Sequence, residues 1–357
     1  MEAIELLEKY KKRVDARLKE YFAKKVKEAR QNNYLTKEAI KMIADFTMKG
    51  GKRIRPAIVY YAYLASGGKD EEKIVDVSMS IELTHTFLLI HDDIIDKDER
   101  RHGGSTIHEQ YKKIGKRLNR KKDEVHFGNS MAMLAGDMAA AMANEIIFGS
   151  TFAPEIIIKA LDQLRKIVYT IVPGEMLDVV LETRGNATEK EILDMYQGKT
   201  SSYSFEGPLH LGTVFAGAEG KKIFANYSRY ASPLGKAFQI RDDILGVYGD
   251  EKKIGKPVGS DIIEGKQTLI IIKALELGDR EQKEVINKYL GKKDLTKKEL
   301  EKIREIIEKT GSLEYSQKLC QKLIGESLEA LKKIDIKNQE ARIFLEGIAQ
   351  YMVKREK

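Results

Sequence analysis

One cysteine and six prolines are all that 357 residues contain, and each scarcity excludes something. With Cys320 alone, no intramolecular disulfide can form and a cysteine-rich zinc site is ruled out, so a reducing, cytoplasmic setting is the default expectation. Few prolines and no sustained period-two alternation of apolar residues argue against sheet and for long helices. No stretch approaches the roughly 18 unbroken apolar residues that a bilayer span requires. The opening MEAIELLEKYKKRVDARLKEYF mixes both charge signs at an amphipathic period, which predicts a helix and not a signal peptide. Flexible linkers and solenoid-length repeats are missing as well. One all-α domain over 1–357 is the expected organisation.

A nucleotide site is absent too. Gly198, Lys199 and Thr200 spell the end of a phosphate-binding loop, but the glycine required five positions earlier is Leu193 and no strand precedes it. The net charge of +8 suits nucleic acid, an anionic membrane or a phosphorylated substrate. The basic run KKIGKRLNRKKDE, Lys112 to Glu124, reads as an exposed loop or helix end; beyond Tyr111 it lacks the aromatics of a base-stacking surface, so nucleic acid is not expected as a partner. A solvated loop is the plain reading of this run, and contact with an anionic membrane is the alternative.

What the chain does have is helical periodicity. Segments near 3–30, 37–49, 54–66, 72–97 and 128–148 are expected as helices, followed by 154–170, 172–184, 189–204, 208–217, 220–246, 262–277, 281–290, 297–309, 311–333 and 338–354. Prolines 56, 154, 173, 208, 233 and 257 fall near the starts of apolar segments, where a missing N–H costs little. Thr296 followed by Glu299 is a capping box. In 72–97, Ile74, Ile81, Leu88 and Ile95 recur every seven residues as a buried seam, while His85, Asp92 and Asp96 lie within about 60° of one another on a neighbouring strip. A polar strip beside an apolar seam points to a helix lining a cavity.

The stretch LLIHDDIIDKDERRHGG, Leu88 to Gly104, sets Asp92, Asp93 and Asp96 behind that seam. Carboxylates so close repel and need cations, and oxygen-only ligands favour a hard ion such as Mg²⁺, which takes one or two carboxylates and completes its shell with water and phosphate. Alone, this motif reads equally well as a solvated acidic helix end. A second Asp-Asp pair breaks the tie: Asp242 and Asp243 end the apolar FQIRDDILG and are followed by Lys256, Asp261 and Lys266. Two such pairs, each trailed by basic residues, predict facing walls of one metal-diphosphate site. KGGKRIRP presents Lys52, Arg53 and Arg55 after a Gly-Gly bend, a phosphate grip. Arg100 and Arg101 either hold a second anion or neutralise the acids upstream.

Together these segments resemble the trans-prenyltransferases, the head-to-tail isoprenyl diphosphate synthases, from Gly50 to about Leu277. The carriers are GGKRIRP, IELTHTFLLIHDDIID, LAGD at Leu134–Asp137, GKT, FQIRDDILG and GKPVGSDIIEGK. The resemblance implies a single-domain isoprenoid-synthase-type all-α bundle around a deep central cavity, a homodimer, and about three Mg²⁺ per active site. It implies Asp92, Asp93, Asp96 and Asp242 as metal ligands. Lys52, Arg55 and His85 would hold isopentenyl diphosphate, and Arg101, Lys199, Gln239 and Lys256 the allylic diphosphate, with His102 and Lys266 as further substrate-binding residues. Lys199 and Thr200 would also lie near the developing carbocation. Two positions depart from the family: His102 stands where it usually has a second arginine, and Gly246 where many members have aspartate. Phe87, five residues before Asp92, resembles the chain-length floor of the archaeal geranylgeranyl type, with Leu88 and Thr84 beside it. A C20 product is expected, with C15 and C25 as alternatives. A terpene cyclase and a non-catalytic partner subunit are the competing functions; the first normally lacks the isopentenyl diphosphate pocket, and the second tends to lose the acid motifs.

Overall fold

The structure is a computed structural model. It describes residues 2–29, 33–118, 121–249 and 258–354, with side chains to residue 351. Contacts divide the chain into two compact units: Met1–Leu164 with Leu211–Ala218 and Lys337–Phe344, and Arg165–His210 with Glu219–Ile336 and Leu345–Lys357.

The first unit is built from α1 (Ala3–Glu28), α2 (Tyr34–Met48), α3 (Ile54–Ala65), α4 (Glu71–Ile95), α5 (Ile107–Leu118) and α6 (Glu124–Phe148). Asp70 starts α4 by accepting the Lys73 N–H at 3.1 Å, and Glu71 and Glu72 complement the helix dipole. An aromatic cluster fills part of the core, with Tyr60 edge-on to Tyr61 at 4.9 Å and Tyr61 stacked on Phe344 at 4.0 Å. The close approach of α6 depends on small residues: a Cβ on Gly128 would lie 2.6 Å from the His108 carbonyl oxygen. The expected seam of α4 holds only at its first half. Ile74 and Ile81 are fully buried, Leu88 is half-buried, and Ile95 is 45% exposed, so the helix leaves the core just where its carboxylates begin.

The second unit takes the later part of α7 (Pro154–Arg184), then α8 (Glu189–Tyr196), a π-helical segment Gln197–Glu206, part of α9 (Gly207–Phe215), and α10 (Lys221–Tyr248). After these come α11 (Ser260–Glu264), α12 (Leu269–Leu277), α13 (Arg280–Tyr289), α14 (Lys297–Lys309), α15 (Ser312–Leu331) and the end of α16 (Gln339–Lys354). The Thr296–Glu299 capping box is present at the start of α14. Cys320 is buried and reduced.

Several expectations need correction. Residues 154–170 and 172–184 form one helix, with Pro173 inside it, and Pro233 likewise lies within α10. Neighbouring turns carry the helix past the missing N–H. The run 262–277 is two helices, parted by Gly265 at φ +86°, a left-handed conformation that glycine adopts without strain. The basic run begins as a helix end, Lys112 to Leu118 closing α5, one of the two forms expected for it. Helix α4 passes the length and mean hydropathy of a membrane span, as does α6, but two-thirds of its window is packed inside the protein, as in a core helix. Arg100–Arg101 and Gly104–Ser105 pair as a two-residue antiparallel hairpin, turned by His102 at φ +50° and Gly103 at φ +75°.

Candidate active site

In the first unit, α4 delivers the acids and the hairpin returns a guanidinium to them. Arg101 donates to Asp92 and Asp98 at 3.1 Å each and to Asp93 through Nε. Of the two readings open for Arg101, neutralising the upstream acids is the one this geometry displays; Arg100 is exposed and donates to the Gly103 carbonyl at 3.0 Å. Asp93 is placed differently from its neighbours: its side chain is buried, one oxygen is taken by Arg101, and Oδ2 is buried without a hydrogen bond. Burial lifts its pKa to about 7 against the opposing pull of Arg101. Asp92 and Asp96 are half-buried at the end of the helix.

A separate cationic group lies on α3 and α4. Arg55 donates from Nη1 to His85 Nε2 at 3.1 Å, which leaves the proton of a neutral ring on Nδ1. Burial, reinforced by Arg55, Arg101, His102 and Arg53, pushes the His85 pKa well below its usual value, so the ring is a neutral donor. Lys52 is half-buried beside it in sequence. His102 is exposed, but its ring covers Gly50 so closely that a Cβ there would stand 2.6 Å from it; the hairpin therefore folds back on the Gly-Gly bend. Arg53, read as part of the phosphate grip, instead turns inward. It is 3% exposed and binds Asp15, Glu82 and the Thr47 carbonyl. Thr84, Phe87 and Leu88 follow on α4, Thr84 buried and bonded to the Ser80 carbonyl at 2.9 Å, the other two half-buried.

In the second unit, two glycines fix the π-helical segment. A Cβ on Gly174 of α7 would lie 2.4 Å from the Lys199 nitrogen, and one on Gly235 of α10 would lie 2.3 Å from the Ser201 Cα. Held this tightly, the segment places Lys199 on α7, where Nζ meets Asp178 at 2.7 Å and Glu175 at 2.9 Å. Lys266 joins the same Asp178 at 3.4 Å and Glu182 at 3.3 Å. Burial raises the Asp178 pKa, but the two lysines outweigh it and hold the carboxyl below its usual range. Thr200 donates to Gln239 Oε1 at 2.7 Å, and Gln239 donates to Asp243 at 2.9 Å. Tyr196 donates to the other Asp243 oxygen while accepting the Leu269 N–H at 2.9 Å. Burial lifts Asp243 to about 8, and its neighbour Asp242 is half-buried. The glycine at 246 has a physical reason: an ideal Cβ there would sit 2.8 Å from Asp261 Oδ2, so Asp261 fills the space a side chain at 246 would take. Lys256 lies outside the described residues.

Sequence reasoning missed Tyr196, Glu175, Asp178 and the part played by Asp261. The polar residues of GEMLDVVLE, spaced three and four apart on α7, were the available signal for two of them. The fit to Mg²⁺ rests on donor chemistry. Among the described residues no group of three or more His, Cys, Asp and Glu is arranged to hold an ion alone. Two carboxylates four apart on α4 are what Mg²⁺ uses when substrate phosphates complete its shell.

The chain matches the polyprenyl synthetase family over residues 36–307. It belongs to that family. It is 36% identical to the geranylgeranyl diphosphate synthase of Sulfolobus acidocaldarius over 310 residues, covering 86% of this chain and 88% of the relative. It is 33% identical to the geranylfarnesyl diphosphate synthase of Aeropyrum pernix over 312 residues, covering 86% and 91%. Among solved structures, geranylgeranyl pyrophosphate synthase from Corynebacterium glutamicum, complexed with isoprenyl diphosphate and magnesium, superposes with a TM-score of 0.91 at 31% identity, covering 98% of this chain and 99% of that one. As a polyprenyl synthetase the chain is an all-α prenyltransferase of isoprenoid biosynthesis. Asp92 falls at the end of α4, and Lys199 and Thr200 on the π-helical segment.

Proposed function

We propose that this polyprenyl synthetase condenses isopentenyl diphosphate head-to-tail with an allylic diphosphate and stops at the C20 product, geranylgeranyl diphosphate, with farnesyl (C15) or geranylfarnesyl (C25) diphosphate as the neighbouring outcomes. The observation that carries the reading is the pairing, within one unit, of an acid set at the end of α4 with a separate set of hydrogen-bond donors, the cationic Arg55 and Lys52 with neutral His85. Two substrates that each bear a diphosphate need two such handles; a terpene cyclase needs one.

Asp92, Asp96 and Asp242 would hold Mg²⁺, three ions per site, which neutralises the charge of the departing diphosphate. Arg55, neutral His85 and Lys52 orient isopentenyl diphosphate, with His102 at the rim. Lys199, Lys266, Lys256, Gln239 and Arg101 bind the allylic diphosphate, Lys199 and Lys266 exchanging Asp178 and its neighbours for phosphate oxygens. Thr200, buried and fixed by Gln239, presents its hydroxyl oxygen toward the allylic carbon. The C–O bond breaks, the isopentenyl double bond forms the new C–C bond, and a proton leaves to the released pyrophosphate. The apolar length of α4 keeps water from the cation, and Phe87 ends the space for the growing tail, with Leu88 and Thr84 behind it.

The whole of 1–357 acts in this reading as one catalytic domain, in the cytoplasm and as a homodimer. Exposed Met133, Leu134 and Phe148 on α6 support a covering partner; sedimentation should give twice the chain mass. The exposed Lys113, Lys116, Arg117 and Leu118 of α5 support peripheral contact with anionic lipid, and pelleting with anionic vesicles should disappear at high salt.

The deciding assay supplies Mg²⁺, radiolabelled isopentenyl diphosphate and geranyl or farnesyl diphosphate, then sizes the extracted prenols. Labelled C20 prenol is expected. No incorporation would point to a non-catalytic subunit, and hydrocarbon made from geranylgeranyl diphosphate alone would point to a cyclase.

A further inference from the structure

We propose that His91 is a positioning residue for product length, holding the Phe87 ring where it ends the tail's space; this rests on the reading of Phe87 as that floor. One helical turn separates the two on α4, and their rings meet nearly edge to face, centroids 4.9 Å apart at 79°. The imidazole is itself fixed from α6. Its Nε2 lies 3.1 Å from the Met133 carbonyl oxygen, a donor position for a neutral ring protonated at Nε2. One turn on, an ideal Cβ on Gly136 would sit 2.3 Å from the same nitrogen, so only glycine there admits the ring. His91 is thus a wedge between the α6 backbone and Phe87. The Asp137 carboxylate is 3.9 Å away, too far for a hydrogen bond, so the wedge works by shape and one carbonyl contact and needs no charge.

An aromatic side chain backed on one face by another fixed ring has few rotamers open to it. Alanine at 91 removes the backing and leaves a void the size of an imidazole, into which Phe87 can turn. A methyl at 136 does the reverse, driving the imidazole toward Phe87. The two changes should therefore move product length in opposite directions although neither residue ends the tail's space itself.

The test sizes prenols made from geranyl diphosphate and labelled isopentenyl diphosphate by the wild type, Phe87→Ala, His91→Ala, Gly136→Ala and the His91→Ala/Phe87→Ala pair. Because His91 adjoins Asp92, the readout is the ratio of products and not total turnover. His91→Ala should raise the C25:C20 ratio about tenfold or more, the pair should go no further than Phe87→Ala alone, and Gly136→Ala should raise C15 at the expense of C20. An unchanged C20 product from His91→Ala beside a lengthened one from Phe87→Ala overturns the proposal. Should His91→Ala not turn over, an unchanged ratio from Gly136→Ala overturns it equally. If Phe87→Ala itself still stops at C20, the floor reading fails, and the wedge with it.

Discussion

In both Asp-Asp pairs the first carboxylate is half-buried and the second is buried, Asp93 on Arg101 and Asp243 between Tyr196 and Gln239. The doubled aspartate was legible in the sequence; the division of labour was not, because it depends on which partner the fold brings to the second residue. Burial costs the ionised form, so the folded pKa values of about 7 and about 8 lie above the unfolded value near 3.9. Between roughly pH 4 and 8 the unfolded chain has already lost these protons while the folded one still holds them. Stability from these groups is therefore full at acid pH and lost as pH rises through 7 to 8. Asp243→Asn should consequently gain in Tm over the wild type at pH 8, measured without Mg²⁺, and lose that gain toward pH 5; a pH-independent difference would contradict the assignment. A second residue-scale prediction concerns Gly246. Gly246→Asp should set a second carboxylate against Asp261 and lower Tm through their repulsion, and adding Asp261→Ala should recover the Tm.

At the scale of elements, amphipathic periods and caps placed most helices to within a few residues. Long-range contact decided the rest. Pro173 reads as a helix start, yet α7 runs through it, and the glycine that follows admits the approach of Gly198 and Lys199. The π-helical turn over Gln197–Glu206 has no local signature beyond its many small polar residues; two glycines on other helices leave it room. Gly174→Ala should disturb that turn, costing about 1–3 kcal/mol by denaturant titration and lowering turnover further than stability alone explains. Tyr196 ties α8, α10 and the start of α12 through one hydroxyl. Tyr196→Phe leaves a buried N–H and a carboxylate oxygen without that partner, a loss of about 1–3 kcal/mol, and should raise the Mg²⁺ concentration for half-maximal rate. An unchanged Mg²⁺ response would reduce Tyr196 to a packing residue.

For the molecule as a whole, the acid and basic motifs told the family from sequence, and the family match bears that out. The reading of one catalytic domain predicts a single cooperative unfolding transition, with near- and far-UV circular dichroism coinciding; two separated transitions would contradict it. The central proposal is that Asp92 and Asp96, at the end of α4, act together in the ionisation of one diphosphate. Groups that act as a unit in one step have strongly non-additive effects. The direct measurement is the rate of C20 formation by Asp92→Ala, Asp96→Ala and the double variant, each folded by circular dichroism. The account predicts that each single change lowers the rate by orders of magnitude and that the double change costs little more than the worse single. Near-normal turnover in either single variant, or losses that multiply in full, would contradict it.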